Sequence, residues 1–322
     1  MPMPATSRSL LHRTASAIGW WAASDHAFGE SAPVPHMLET IAETAVEGGY
    51  SAGIGLGFCL PIKSPATAAF GKAKLETAAP VREDSLFRIG ACTRQFTAAA
   101  ILLLAERSLL RLTDAAETVL PDAGQASLRD MLLADDAAYI LLERIVERVT
   151  GTRFAAFVTD NLLLPAGMVA SGFPEPTAPD RVSGYRLADD RAHDFREAGV
   201  GHGTAVGDDL HATAGELLLW NRALYSGRLL ARRTIDLMTT PGVEGSPCPI
   251  LGTALDRHVR GFGIEVGRIF GRRAYWQRGQ APGFDTWLFH FPDDRADLAL
   301  LANTEQGAAT ILEPMLRAIL RV

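Results

Sequence analysis

A tetrapeptide at the start of an apolar helix carries side chains whose types could support chemistry. It reads Ala91-Cys92-Thr93-Arg94, and apolar residues recur after it at helical spacing. Cys92 and Thr93 could act as nucleophiles if a neighbouring base took their proton. Arg94 cannot be that base, because a guanidinium stays protonated in proteins. A helix that is apolar on most faces is buried, so we expect the Cys92 thiol to point into the core, where cysteines are usually inert. Because Cys92 follows Ala91 directly, it is also a candidate residue of the pocket.

The segment around this tetrapeptide resembles the active-site segment of the serine β-lactamase and penicillin-binding-protein family, especially its class C β-lactamase and esterase branch. The family pattern reads Phe-Arg-Ile-Gly-Ser-x-Thr-Lys-x-Phe-Thr-Ala, and residues 87–98 keep every specified position except two. Ala91 stands where the resemblance places the nucleophilic serine, and Arg94 stands where it places the lysine of the Ser-x-x-Lys pair. Alanine has no oxygen to attack with, so the resemblance implies the family fold and argues against its usual reaction.

The family's second motif, Tyr-x-Asn, has a counterpart before the next predicted helix. The resemblance places Ala134 where the family has a tyrosine that relays protons, and Asp136 where an asparagine contacts the substrate, with Asp135 between them. The loop that usually precedes this motif is several dozen residues shorter here, which predicts a wider or differently roofed cleft. Tyr139, in the helix that follows, is expected to line the same pocket.

The third family motif, His/Lys-x-Gly followed by Pro-Gly-Phe, resembles a segment near the C-terminus. Gln277 takes the His/Lys position and is followed by Arg278 and Gly279, and residues 282–284 keep Pro-Gly-Phe. We expect Tyr275, Gln277 and Arg278 at the rim of the cleft. The third motif has therefore changed at its His/Lys position, whereas the residues around that position keep the family pattern.

Four positions that carry chemistry in the family have changed, namely Ala91, Arg94, Ala134 and Gln277. One change could reflect an error of alignment, whereas four indicate that hydrolysis has been lost. Because Asp136 takes the place of a residue that contacts the lysine in relatives, we predict an ion pair between Arg94 and Asp136. Such a pair, together with Gln277, could orient a carbonyl or enolate and stabilise developing negative charge.

The elements that must position these residues follow from hydrophobic periodicity. It predicts helices over 37–48, 138–149 and 311–320, besides the central helix through Phe96 to Leu104, and strands over 51–60, 69–76, 287–292 and 298–303. Three glycines alternate with apolar residues in 51–60, which favours a tightly packed strand over a glycine loop. Thr213 and Glu216 have the spacing of a capping box at the start of a helix.

This order of elements predicts the α+β class, in which an antiparallel sheet is covered by helices and a helical lobe lies between its halves. The resemblance implies a β-lactamase-like fold. We expect a flexible N-terminal arm over 1–36 and one two-lobed domain over 37–322. Its sheet lobe would span about 37–90 and 258–322, and its helical lobe about 91–257, with the cleft between the lobes.

Composition excludes several classes of protein. The 322 residues carry a net charge of −6, with 31 lysines and arginines against 37 aspartates and glutamates, so binding to nucleic acid is not expected. The sequence contains no run of 18 apolar residues, so it predicts no membrane span. Three scattered cysteines without a Cys-x-x-Cys pair indicate neither disulfides nor zinc, and we expect no cofactor and no metal. A cytoplasmic location is favoured over export, because residues 15–23 make a poor signal-peptide core.

Three readings of function remain open at this point. The first is an enzyme of secondary metabolism, repurposed for a non-hydrolytic step such as cyclisation, isomerisation or dehydration of a small, mostly apolar metabolite. The second is a catalytically inactive pseudoenzyme that binds a small molecule or a partner, in which Arg94 and Asp136 form a structural pair. The third is an atypical hydrolase with a displaced nucleophile, either Cys92 or Thr93.

Overall fold

The structure is a computed structural model that describes residues 33–61, 64–173, 181–188, 193–198, 210–240, 242–245, 248, 250–251, 255 and 258–322. Most of the predicted N-terminal arm, residues 1–32, lies outside this range. The arm and the division into lobes therefore remain predictions.

The helices are distributed along the whole described chain. They are α1 (Val34–Glu47), α2 (Arg94–Glu106), α3 (Leu128–Leu132), α4 (Asp136–Thr150), α5 (Phe154–Val158), α6 (Leu164–Ala166), α7 (Ala214–Tyr225), α8 (Arg232–Met238) and α9 (Leu312–Leu320). The helices predicted over 37–48, 138–149 and 311–320 are confirmed as α1, α4 and α9, with ends shifted by at most three residues. Helix α1 starts early because Pro35 lies in its first turn, where the missing N–H removes no hydrogen bond.

The described strands form one large antiparallel sheet and two small pairs. They are β1 (Gly53–Cys59), β2 (Ala66–Lys74), β3 (Ala79–Pro80), β4 (Phe87–Arg88), β5 (Tyr185–Leu187), β6 (Phe195–Glu197), β7 (His211–Ala212), β8 (Val243–Glu244), β9 (Val259–Arg260), β10 (Glu265–Ile269), β11 (Arg272–Ala281), β12 (Phe284–Phe291) and β13 (Ala296–Ala302). The large sheet has nine described strands in the order β3-β2-β1-β13-β12-β11-β10-β9-β8, and β4 pairs with β7 and β5 with β6. The predicted α+β class is confirmed.

Helices cover both faces of the large sheet. Strand β12 is buried along nearly its whole length, because alternate side chains enter two different cores. Trp287 and Phe289 pack with α1 and α9, whereas Leu288 packs with α2 and α7. This alternation fixes which side chains of the neighbouring strand β11 can face α2.

The glycine-rich strand β1 is confirmed as a packed strand. A Cβ on Gly57 would lie 2.8 Å from the carbonyl oxygen of Ala214 at the start of α7. The glycine therefore allows the helix to approach the sheet closely, and no phosphate-binding loop is formed there.

Helix α2 is the buried central helix that its apolar sequence predicts. Residues 95–104 are all buried. The ring of Phe96 stacks on Trp220 of α7, with centroids 3.9 Å apart, and the indole Nε1 of Trp220 donates to Oε1 of Gln95 at 3.0 Å. The core thus holds the N-terminus of α2 in a fixed place.

Only one of the two hydrogen bonds of the capping box predicted at α7 is present. The Thr213 hydroxyl accepts from the backbone N–H of Glu216 at 3.1 Å. The Glu216 carboxylate, however, accepts from the backbone N–H groups of Ala170 and Ser171 at 2.8 and 2.6 Å. It therefore ties α7 to the segment after α6 by pairing two backbone donors there, of which that of Ser171 is buried.

Candidate functional site

A tight turn delivers the N-terminus of α2 to the edge of strand β11. Residues 90–93 form one turn of 3-10 helix. Gly90 has φ of +51°, and a Cβ on Gly279 of β11 would lie 1.8 Å from the carbonyl oxygen of Ile89. Strand and turn are therefore in direct backbone contact. Ala91 is partly exposed beside this contact and carries no group able to react.

The two side chains that could replace a serine nucleophile are buried and already hydrogen-bonded. The Cys92 thiol is fully buried and lies 3.4 Å from the carbonyl oxygen of Gln277. Burial raises the pKa of this thiol, which disfavours the reactive thiolate. The buried Thr93 hydroxyl donates to the carbonyl oxygen of Gly90 at 2.9 Å. Cys92 was predicted both to point into the core and to contribute to the pocket, and the second expectation was wrong.

The predicted ion pair between Arg94 and Asp136 is present. Nη2 of Arg94 contacts Oδ1 of Asp136. The Arg94 side chain is 17% exposed and the Asp136 side chain 75% exposed, so the cation lies in the floor of the site and the carboxylate lies in water. Burial is the largest influence on Arg94 and lowers its pKa.

The aromatic ring of Tyr139 packs against the guanidinium of Arg94. Its ring centroid lies 5.4 Å from Cζ of Arg94, a distance suited to a cation–π interaction. The Tyr139 hydroxyl donates to the carbonyl oxygen of Leu132 at 2.7 Å, and burial raises its pKa. Tyr139 was predicted to line the pocket, but the side chain is buried because it fills the space between α2 and α4.

A second arginine–aspartate pair lies beside the first, and no motif in the sequence predicts it. Nη1 of Arg260, in β9, lies 3.0 Å from Oδ1 of Asp135 and 3.0 Å from the carbonyl oxygen of Leu133. The Arg260 side chain is 13% exposed and that of Asp135 is 86% exposed. The consecutive residues Asp135 and Asp136, at the start of α4, therefore each neutralise one nearly buried arginine. Ala134 precedes them and is partly exposed.

A shielded carboxylate completes this network. Glu265 of β10 is 17% exposed, with Oε2 3.5 Å from Nε2 of His258 and Oε1 3.9 Å from Nε of Arg260. Burial raises the pKa of Glu265, and the charges of His258, Arg260 and Arg94 oppose that shift only in part. The carboxylate held away from water is therefore Glu265, whereas Asp136 is largely exposed.

Strand β11 presents only part of the third motif to the site. Gln277 and Gly279 share the face of the sheet that packs on α2, and Gln277 is buried with its Nε2 3.2 Å from the carbonyl oxygen of Arg278. Arg278 lies on the opposite face, where its Nε donates to the fully buried Asp285 at 2.9 Å and its guanidinium lies 5.1 Å from the ring centroid of Trp287. Placing Arg278 at the rim was wrong, because neighbouring residues of a strand face opposite ways.

Tyr275 also lies away from the turn at the start of α2. Its ring stacks with those of Tyr225 and His290, at centroid distances of 5.6 and 6.1 Å. Tyr275 precedes Gly279 by four residues, which is roughly 13 Å along a strand. The prediction that it reaches the rim near Arg94 was therefore wrong, and it packs against the end of α7.

Neither a membrane helix nor a metal cluster is found in the described part of the chain. No described helix combines the length and the apolar character needed to cross a membrane. No group of three or more histidine, cysteine, aspartate or glutamate side chains among the described residues is placed to hold a metal ion.

Comparison with known proteins gives matches along most of the chain. A protein-family model described as Beta-lactamase matches residues 63–135 and 135–320. Penicillin-binding protein 4* of Bacillus subtilis (strain 168) is 21% identical over 305 residues, which cover 74% of this chain and 65% of that protein. The putative penicillin-binding protein PbpX of the same organism is 21% identical over 270 residues, covering 69% and 63%. The chain thus spans less than two thirds of the length of these curated relatives.

Solved structures of low sequence identity share the fold. D-amino acid amidase from Ochrobactrum anthropi SV3, complexed with D-phenylalanine, has a TM-score of 0.79 at 18% identity, covering 89% of this chain and 99% of that chain. The octameric penicillin-binding protein homologue from Pyrococcus abyssi has a TM-score of 0.77 at 17% identity, covering 88% and 77%. Simvastatin synthase from Aspergillus terreus has a TM-score of 0.75 at 18% identity, covering 88% and 93%. The predicted β-lactamase-like fold is confirmed.

Proposed function

The chain belongs to the Beta-lactamase family, and we propose that it uses the family's cleft without forming a covalent acyl-enzyme. The site binds a small, mostly apolar molecule and promotes a non-hydrolytic step such as cyclisation, isomerisation or dehydration. The observation that carries this proposal is the ion pair of Arg94 with Asp136. It occupies the first turn of α2, three residues after Ala91, where the resemblance to the family leads us to expect a serine and a lysine.

The environment of Arg94 supports an electrostatic role. Its Nε is buried and has no hydrogen-bond partner among the described residues, and buried donors are normally satisfied by protein, water or ligand. A guanidinium fixed on the ring of Tyr139 can donate to an oxygen on which negative charge develops, with little reorganisation during the reaction. A carbonyl or enolate oxygen of the substrate would fill this position.

Proton transfer in this site is assigned to Glu265 in preference to Asp136. A general acid or base works best when its pKa lies near the working pH. Burial raises the pKa of Glu265, whereas Asp136 is largely exposed. The charges of Arg94 and Glu265 act on each other. A proton held by Glu265 therefore responds to negative charge that develops on a substrate oxygen bound at Arg94.

The first turn of α2 gives less support to the hypothesis of an atypical hydrolase than to that of a non-hydrolytic enzyme. Attack on an ester or amide needs an accessible nucleophile with a base beside it. Cys92 is fully buried and the Thr93 hydroxyl is donated to a backbone carbonyl. Neither group has the exposure that this chemistry needs.

One observation favours a second candidate function, a non-catalytic binding protein. Asp136 already neutralises Arg94 without any ligand, as a purely structural ion pair would do. In that case the cleft would hold a small molecule and leave it unchanged. Turnover, and not binding, separates the two candidates.

The proposal can be tested without knowing the substrate. The purified protein is incubated with a small-molecule extract, and the changes are followed by mass spectrometry beside the Arg94→Ala and Glu265→Gln variants. Cyclisation and isomerisation leave the substrate mass unchanged, dehydration removes one water, and hydrolysis adds one. We expect a product whose mass is unchanged or lower by one water, and we expect that neither folded variant forms it. A feature that gains one water would overturn the proposal, and the absence of any change would favour the binding protein.

A further inference from the structure

We propose that the ligand of this site carries a carboxylate, which binds Arg94 and Arg260 by displacing the side chains of Asp136 and Asp135. The inference rests on the non-covalent site proposed above and adds the chemical class of its ligand. It follows from the way in which two ion pairs share one short segment and from the unequal burial of their partners.

The two arginines come from distant elements and meet at the start of α4. Arg94 begins α2, and Arg260 lies in β9, the strand next to the edge strand β8 of the large sheet. Their partners, Asp136 and Asp135, are adjacent in sequence. The two arginines therefore contact neighbouring positions of one turn, and the charge of Arg260 is one of the causes that lower the pKa of Arg94. A carboxylate has two oxygens and can accept from both.

The unequal burial of the partners decides which ion a ligand can replace. The arginine side chains are 17% and 13% exposed, whereas the aspartate side chains are 75% and 86% exposed. A displaced aspartate side chain rotates into the solvent and is hydrated at little cost. A displaced arginine would leave a charge stranded in a largely buried position, which is costly. The site can therefore exchange one anion for another, but it cannot exchange its cations.

The carboxylates now in place are weak competitors. Ion pairs with a solvent-exposed partner contribute little, so removal of one aspartate should strengthen the binding of an external carboxylate by up to about fivefold. Glu265 does not fill the same position, because its nearest oxygen lies 3.9 Å from Nε of Arg260. The unpartnered Nε of Arg94 offers an additional donor to an entering ligand.

The test uses three probes of similar shape and different charge. Phenylacetate, phenylacetamide and phenethylamine are titrated into the full-length protein at low ionic strength, and binding is followed by NMR chemical shifts. We expect phenylacetate to bind at least about tenfold more tightly than phenylacetamide, because hydrogen bonds between charged groups are stronger than those of the neutral amide. Absence of phenylacetate binding, or equal or tighter binding of either other probe, would overturn the proposal.

Charge variants separate direct contact from a general electrostatic effect. Asp136→Asn and Asp135→Asn should each raise the affinity for phenylacetate, and Arg260→Gln should lower it at least about tenfold. The matched controls are Asp293→Asn and Arg273→Gln, which change charge in an exposed pair at the far end of β11 and should leave the affinity unchanged.

The aspartate variants keep the test decisive if Arg260→Gln does not fold. An unchanged or lower affinity in both Asp136→Asn and Asp135→Asn would show that these side chains do not compete with the ligand, and the proposal would fail. Failure of the proposed function is a separate result, since it would appear as a covalent adduct or as a hydrolytic product whatever the probe affinities are.

Discussion

Substitution of Gly279 by alanine should move strand β11 away from the turn that begins α2. The added Cβ would lie 1.8 Å from the carbonyl oxygen of Ile89, 2.9 Å from its carbonyl carbon and 3.0 Å from the backbone nitrogen of Cys92. These atoms belong to the backbone of a buried turn, so no flexible side chain can move aside. Overpacking of this kind costs about 1–3 kcal/mol, and we expect the upper end because strand and turn must separate.

The assay is thermal unfolding, with Gly172→Ala as the matched control. A Cβ on Gly172 would meet nothing within 4 Å, so that variant should unfold within about 2 °C of the wild type. A loss of about 3 kcal/mol corresponds to a fall in Tm of roughly 4–5 °C for a domain of this size. If Gly279→Ala unfolds together with the control, β11 does not contact the turn as described, and the geometry inferred for the cleft is wrong.

Three other predictions follow from burial and charge. In the native protein Cys92 should resist alkylation by iodoacetamide, measured by peptide mass mapping, because burial raises its thiol pKa; rapid labelling would contradict its placement. The pKa of Glu265 is raised above 4.5, so ionisation costs stability, and the Tm of Glu265→Gln relative to wild type should rise as pH increases from about 4 to 8; a constant difference would refute this. Restoring the first motif by Ala91→Ser with Arg94→Lys should not produce β-lactam hydrolysis, because Ala134 and Gln277 remain; robust hydrolysis would show that the second motif is misplaced.

The parts of the site predicted from sequence are those with strong local signals. The apolar run of α2 requires a buried helix, and the turn before it keeps the family's pattern around Ala91 and Arg94. The ion pair with Asp136 was also predicted, although 42 residues separate the partners. That prediction depended on aligning two motifs, since neither helix shows in its own sequence which residue it will meet.

The parts that were missed depend on how distant segments meet. Arg260 and Glu265 lie in the short strands β9 and β10, which carry no motif, and Arg260 meets Asp135 across 125 residues of sequence. The error at Arg278 has a simpler cause. Gln277 and Gly279 must face α2, and the alternation of a strand then directs Arg278 to the opposite face. Strand periodicity alone could have corrected that placement.

The most direct test of a cleft without an acyl-enzyme is the intact mass of the folded protein after incubation with a penicillin, an activated ester and a fluorophosphonate. The account predicts an unchanged mass with all three reagents, since Ala91 offers no nucleophile and Cys92 is buried. A stoichiometric adduct that survives in Cys92→Ala and Thr93→Ala would reveal a nucleophile elsewhere in the cleft. That result would contradict the central claim and restore the hydrolase reading.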